Sequence, residues 1–159
     1  MFEHIVFRSN LMNANPIYLE DLMPGAVYTS SEYRLDVEQI RRFAQSFDPQ
    51  PFHLDEETAN ETFFGGLAAS GWHTAAITMK LLVESLPLAG GVIGAGSEIT
   101  WPRPTRPGDV LHVVSTIMEI SPSRSKPDRG VVTVQSDTLN QRGELCQRSV
   151  ARLLAFRRG

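Results

Sequence analysis

Two hydrophobic periods divide this chain. Between residues 36 and 86 apolar positions recur at helical spacing, and beyond residue 92 they fall into strand-like runs rich in Val, Ile and Leu. Val37, Ile40, Phe43 and Ala44 share one helical face while Glu38, Arg41 and Arg42 point away. Asp36 is a good N-cap, Gln39 three residues later completes a capping box, and the helix should stop before Pro49. A short helix over Asp55 to Thr62, capped by Asp55, follows. From Ser70 to Leu86 a longer helix is predicted, about 25 Å at roughly 1.5 Å per residue. Ala75, Ala76, Met79, Leu82 and Val83 give it a wide apolar surface, and its charges, Lys80 and Glu84, stand at i,i+4. A helix this apolar must be covered on most sides, most simply by a curved sheet.

The strand signals bracket these helices. Pro24-Gly25 is a turn, and Ala26 to Leu35 reads as a strand. Val92 to Trp101, Asp109 to Ile120, Gly130 to Leu139 and Glu144 to Phe156 read as four more, taken as a meander. They are separated by Pro102, Pro104, Pro107 and Gly108, by Ser121 to Arg129, and by Asn140 to Gly143. Strands segregated from helices indicate an α+β fold. Residues 1–15 read as an N-terminal arm and 16–157 as one domain, as the length of 159 residues favours.

Composition narrows the class. A net charge of −3 gives no basic surplus for nucleic acid. A single cysteine, Cys146, permits no intrachain disulfide and suits a reducing cytoplasm. Glu3, His4 and Arg8 break the apolar core that a signal peptide needs. The apolar stretch Gly65 to Val83 carries Ser70, His73, Thr74, Thr78 and Lys80, so it reads as a buried helix and not a membrane span.

The candidate chemistry lies in Phe47-Asp48-Pro49-Gln50-Pro51-Phe52-His53-Leu54-Asp55. Asp48 and His53 are side chains suited to moving protons near neutral pH. Two prolines exclude helix interior between them and bias Phe47, Pro49 and Gln50 toward extended or turn geometry. This run, with Phe64-Gly65 and Gly71 downstream, resembles the MaoC-like dehydratases, or (R)-specific enoyl-CoA hydratases, whose motif is Asp-x-Asn-Pro-x-His. Asp48, Pro51, His53 and the His-x-Asp continuation to Asp55 match. Gln50 replaces the family's asparagine, Ser70 stands where histidine is common, and Met79 falls near a serine that some members carry.

The resemblance implies a hot-dog domain, an antiparallel curved sheet around a long central helix, and a homodimer or higher homo-oligomer. It implies hydration of trans-2-enoyl thioesters to (R)-3-hydroxyacyl thioesters, with Asp48 and His53 holding one water. No metal or cofactor is called for, coenzyme A entering as part of the substrate. Gly71 would offer its backbone N–H at a helix start to the thioester oxyanion, glycine letting the substrate approach closely. Ser70, Gln50, Phe52 and Trp72 join it as candidate substrate-binding residues, with Phe63 beside them. Arg124, Lys126 and Arg129 form one basic cluster suited to coenzyme A phosphates, and Arg103 with Arg106 another.

Plainer roles exist for each. Asp48 could be a turn acid, His53 a structural histidine, Gly71 a helix entry with Ser70 its cap, and the aromatics core. The basic cluster could be a solvated hairpin, and His73 could face the core, the pocket or a dimer contact. Asp48, His53 and Asp55 could ligate a metal, but no cysteine or second histidine lies near in sequence, and Asp55 is more simply a helix cap. Two rival functions remain: a thioesterase on the same fold, against which stands the absence of Asp or Glu from Thr74 to Leu82, and a non-catalytic acyl-CoA-binding or nodulation-related MaoC-like protein, for which Gln50, Ser70 and Met79 leave room.

Overall fold

The computed structural model describes residues 15–159, so the arm assigned to residues 1–15 lies, but for its last residue, outside the described residues. The first strand signal resolves into two short strands, β1 (Val27–Thr29) and β2 (Tyr33–Arg34). Helix α1 (Val37–Phe47) follows, with the capping box in place: the Gln39 N–H donates to Asp36 Oδ1 at 2.8 Å and the Asp36 N–H to Gln39 Oε1 at 2.9 Å. Phe47 closes this helix instead of extending. The chain turns one residue later, at Asp48, which sits at φ −152° and ψ 67° before Pro49.

The double-proline segment is not all loop. Pro51 occupies the first position of a one-turn helix, α2 (Pro51–Leu54), where its missing N–H costs nothing and its fixed φ suits helical geometry. Helix α3 (Glu56–Asn60) is capped by Asp55, whose carboxylate accepts the Thr58 N–H at 2.7 Å. The long helix is α4 (Gly71–Ser85), capped by Ser70.

Strands β3 (Ile93–Thr100), β4 (Val110–Pro122), β5 (Arg129–Leu139) and β6 (Leu145–Phe156) complete an antiparallel six-stranded sheet. Its order is β1-β4-β5-β6-β3, with β2 also on β4. Only β4 to β6 form a meander. The expected neighbour of β4, strand β3, crosses to the far edge and pairs with β6. Register shifts between Gly94 and Gly96, Ile117 and Glu119, and Thr138 and Leu139 let the sheet curl toward α4. Strand β5 alternates buried and half-buried positions along its whole length, so its inner side chains face α4 and its outer ones solvent.

The sheet covers one side of α4. Ile77, Thr78, Leu81 and Leu82 are buried against it, while Trp72, Ala76, Met79 and Val83 remain exposed in the single chain. Two apolar clusters fill the interior. One centres on Leu82, Leu86, Ile117, Val132, Val134 and Leu153, the other on Leu35, Ile40, Leu67, Ile77, Leu81, Leu111 and Val113. Paired hydroxyls also lie in this interior: Thr78 with Thr138, Ser115 with Ser136, and Thr74 with Thr105, each partner buried. Pairing satisfies groups that would otherwise be stranded away from water.

Candidate active site

Three short segments converge at the N-terminus of α4. The end of α1 delivers Asp48, α2 delivers His53, and the strap of residues 64–70 delivers Ser70 and Gly71. The strap is held from both sides. Ala68 N–H donates to the Phe52 carbonyl at 3.0 Å, and Ala69 N–H to the Thr105 carbonyl at 2.9 Å. The Arg106 guanidinium donates to the carbonyls of Phe64, Gly66 and Leu67, at 2.5, 2.9 and 3.2 Å. On the other flank, Arg41 Nε donates to the Leu54 carbonyl at 3.0 Å and fastens α1 to α2.

Asp48 and His53 meet directly, with Nε2 3.2 Å from Oδ2. The other ring nitrogen, Nδ1, lies 2.6 Å from the buried Ala68 carbonyl, an acceptor only, so Nδ1 carries a proton and donates it there. That bond turns Nε2 toward the acid. His53 is 4% exposed. Asp48 keeps 18% of its side chain in solvent and receives two further donors, Ser70 Oγ on Oδ2 at 2.7 Å and Gln50 Nε2 on Oδ1 at 2.5 Å. Burial pushes the Asp48 carboxyl up, but the Ser70 and Gln50 hydrogen bonds and the neighbouring imidazole outweigh it and hold the group below the usual carboxylate range.

These groups open onto a cleft of about 690 Å³. Asp48, Gln50, Phe52, His53, Gly71 and Trp72 all line it, as does Phe63; Ser70, fully buried, stands behind it. The Gly71 N–H has no hydrogen-bond partner among the described residues. The arrangement thus presents an ionised acid, an imidazole and a free helix N-terminal donor to one space.

The structure alters the reading of several residues. A Cβ on Gly71 would lie 2.8 Å from Cε2 of Trp101, so glycine is required here by the indole packed over it. Trp101 is a cleft residue that strand periodicity hid. Its Nε1 donates to Gln147 Oε1 at 2.9 Å, and its ring meets Trp72 edge-on at 5.4 Å. Arg124, Lys126 and Arg129 are not brought to the cleft of their own chain. Arg124 and Lys126 lie in the loop after Pro122 and Arg129 opens β5, at the opposite end of β4 from Val110, and none of the three lines the cleft. Arg129 instead pairs with Asp128 at 2.8 Å and lies 5.3 Å over the Phe156 ring. Among the described residues the arginines on the cleft are Arg103, paired with Glu144 at 2.9 Å, and Arg106, which gives three hydrogen bonds to the strap. His73 is 7% exposed, stacked flat on Phe43 at 4.6 Å, and does not line the cleft. Asp55 is engaged as the cap of α3.

A sheet curled around one long helix is a hot-dog fold, and the acid–histidine pair at that helix's N-terminus is its candidate acid–base site. The chain belongs to the MaoC-like family: the model of the MaoC like domain matches residues 22–140. It is 62% identical to a crystal structure of a MaoC-like dehydratase from Rhodospirillum rubrum, covering 90% of this chain and 99% of that one with a TM-score of 0.89. It is 35% identical to the uncharacterized protein YdeM of Bacillus subtilis, over 78% of this chain and 88% of that protein. It is 30% identical to a 3-hydroxybutyryl-CoA dehydratase of Methylorubrum extorquens, over 69% of each. Among the described residues no helix is long and apolar enough to cross a membrane.

Proposed function

We propose that this protein is a hydro-lyase that adds water across the double bond of trans-2-enoyl thioesters of coenzyme A, giving (R)-3-hydroxyacyl thioesters, and catalyses the reverse dehydration. The observation that carries this reading is the Asp48–His53 contact of 3.2 Å, facing the same cleft as the unpartnered Gly71 N–H. Hydration of a conjugated thioester needs a proton acceptor for the attacking water, a proton donor for C2, and a donor for the oxygen that carries charge between those events.

The proton inventory closes on these groups. Asp48, held ionised by Ser70 and Gln50, takes a proton from water as its oxygen bonds to C3. The π electrons move toward the thioester oxygen, which sits at the Gly71 N–H. Protonated His53 then gives its Nε2 proton to C2. The proton on Asp48 returns to Nε2 across their contact, restoring the starting state. Throughout, the Nδ1–H bond to Ala68 keeps the ring aimed. At the mouth, Arg103 is the cation that a coenzyme A phosphate can draw from Glu144.

A thioesterase reading would need a carboxylate along the outer turns of α4, where Thr74 to Leu82 offers none. The exposed stripe Trp72, Ala76, Met79 and Val83 and the open edge of β3 are the surfaces a second copy would cover, and we assign a homodimer to them. The test is a panel of trans-2-enoyl-CoA substrates followed at the conjugated-enoyl absorbance, with free thiol assayed in parallel. Loss of absorbance without thiol release is expected. Thiol release without hydration, or tight binding with no turnover at any chain length, would reject the reading.

A further inference from the structure

We infer that Ser70 is a positioning residue that locks the Asp48 carboxylate in register with the Gly71 N–H, making acid and oxyanion donor one rigid unit. A serine before a helix explains itself as an N-cap, and Ser70 Oγ does accept the Trp72 N–H at 3.2 Å. Capping uses only a lone pair. The hydroxyl has one proton, and Ser70 spends it on Asp48 Oδ2 at 2.7 Å, across 22 residues of sequence. The residue is 0% exposed, so water cannot substitute for that acceptor.

The geometry couples two functions through one residue. Ser70 immediately precedes Gly71, so one hydrogen bond and one peptide unit set the distance from the carboxylate to the backbone donor. Gln50 grips the other oxygen, Oδ1, which stops the carboxylate from rotating about its Cβ–Cγ bond. His53 Nε2 approaches the same Oδ2 that Ser70 holds. Without the Ser70 proton, Oδ2 keeps only the imidazole, and the carboxylate can swing toward Gln50. A neutral donor on the ionised form also favours ionisation, in keeping with the low-lying Asp48 titration.

The test uses three variants. Ser70→Gly adds no atoms and remains a tolerable N-cap. It removes the donor to Asp48. Ser70→Ala removes both cap and donor, and Ser70→Thr keeps both. The first readout is the pH titration of the Asp48 carboxyl carbon by NMR, which is independent of any activity. Ser70→Gly and Ser70→Ala should titrate at higher pH than the wild type, and Ser70→Thr close to it. The second readout rests on the hydratase reading: Ser70→Gly should lose about 10- to 100-fold in kcat with KM little changed, and the acid limb of its pH profile should rise. An Asp48 titration unmoved in both Ser70→Gly and Ser70→Ala overturns the proposal, whatever the activity. If the wild type hydrates nothing, the hydratase reading fails while the titration still decides the role of Ser70.

Discussion

Gly71→Ala tests the tightest contact around the candidate site. Gly71 is not in the left-handed region, so alanine is allowed by its backbone and any cost is steric. The new methyl would lie 2.8 Å from Trp101 Cε2 and 3.1 Å from Cδ2 and Cζ2. Reaching an ordinary 3.4 Å contact requires the indole to retreat by 3.4 − 2.8 Å, or 0.6 Å. That movement acts on the 2.9 Å bond from Nε1 to Gln147, which at about 3.5 Å is no longer a good hydrogen bond. Overpacking costs roughly 1–3 kcal/mol and the weakened bond about 1 kcal/mol. Alanine returns up to about 1 kcal/mol of helix propensity. A net loss of about 2 kcal/mol follows, or roughly 4–8 °C in Tm for a chain of this size. Chemical denaturation gives the stability, and indole fluorescence reports the displaced ring. In a double-mutant cycle with Trp101→Ala, the penalty of Gly71→Ala should largely vanish. A Gly71→Ala protein with wild-type stability and unaltered fluorescence would refute this account of the glycine.

Other outcomes follow from the same structure. Thr78→Val alone leaves the Thr138 hydroxyl buried without its partner and should cost about 1–3 kcal/mol, whereas Thr78→Val with Thr138→Val should be nearly neutral, by urea denaturation. Among the described residues the buried Nδ1 of His73 has no partner, and burial lowers the pKa of the ring. The unfolded chain therefore binds more protons, so stability is fully present above the unfolded value near 6.5 and is lost as pH falls toward the folded pKa. Replacing His73 by Phe should flatten the fall of the urea midpoint as pH drops below about 6.5. Asp48 titrates in the same sense at lower pH: its contribution is present above the ordinary carboxylate range and is lost as pH falls through its depressed folded value, so Asp48→Asn should remove that component of acid sensitivity. For the exposed stripe on α4, Met79→Lys together with Val83→Glu should convert a dimer into monomers by analytical ultracentrifugation, and an unchanged sedimentation coefficient would remove this face from the interface.

Helix α4, its Ser70 cap, α1 with its capping box, and strands β3 to β6 were legible from periodicity and turn chemistry, because those signals act within a few residues. The pairing of β3 with β6 was not, since sheet order is decided by partners 48 (Thr100 and Arg148) to 61 (Ile93 and Leu154) residues apart that no local pattern encodes. The split between β1 and β2 and the helical turn at Pro51 escaped for a related reason: proline at a first helical position and proline in a loop look alike in sequence. At the site, Asp48, His53 and Gly71 were visible through their motif and helix-start chemistry. Trp101 over Gly71, the strap held by Arg106, and the Ser70–Asp48 bond depend on contacts spanning 22 to 42 residues. The basic hairpin at Arg124 to Arg129 shows the converse: charge density in sequence carries no information on which end of a strand meets the cleft.

The most direct test of the acid–histidine site is turnover of a trans-2-enoyl-CoA in ¹⁸O-labelled water, comparing wild type with Asp48→Asn and His53→Ala by mass spectrometry of the intact thioester and the free acid. The wild type should place one ¹⁸O on C3 of an intact 3-hydroxyacyl thioester, with each variant slower by about 100-fold or more. Label in a released carboxylate, or variants that incorporate it at the wild-type rate, would contradict a hydratase built on Asp48 and His53.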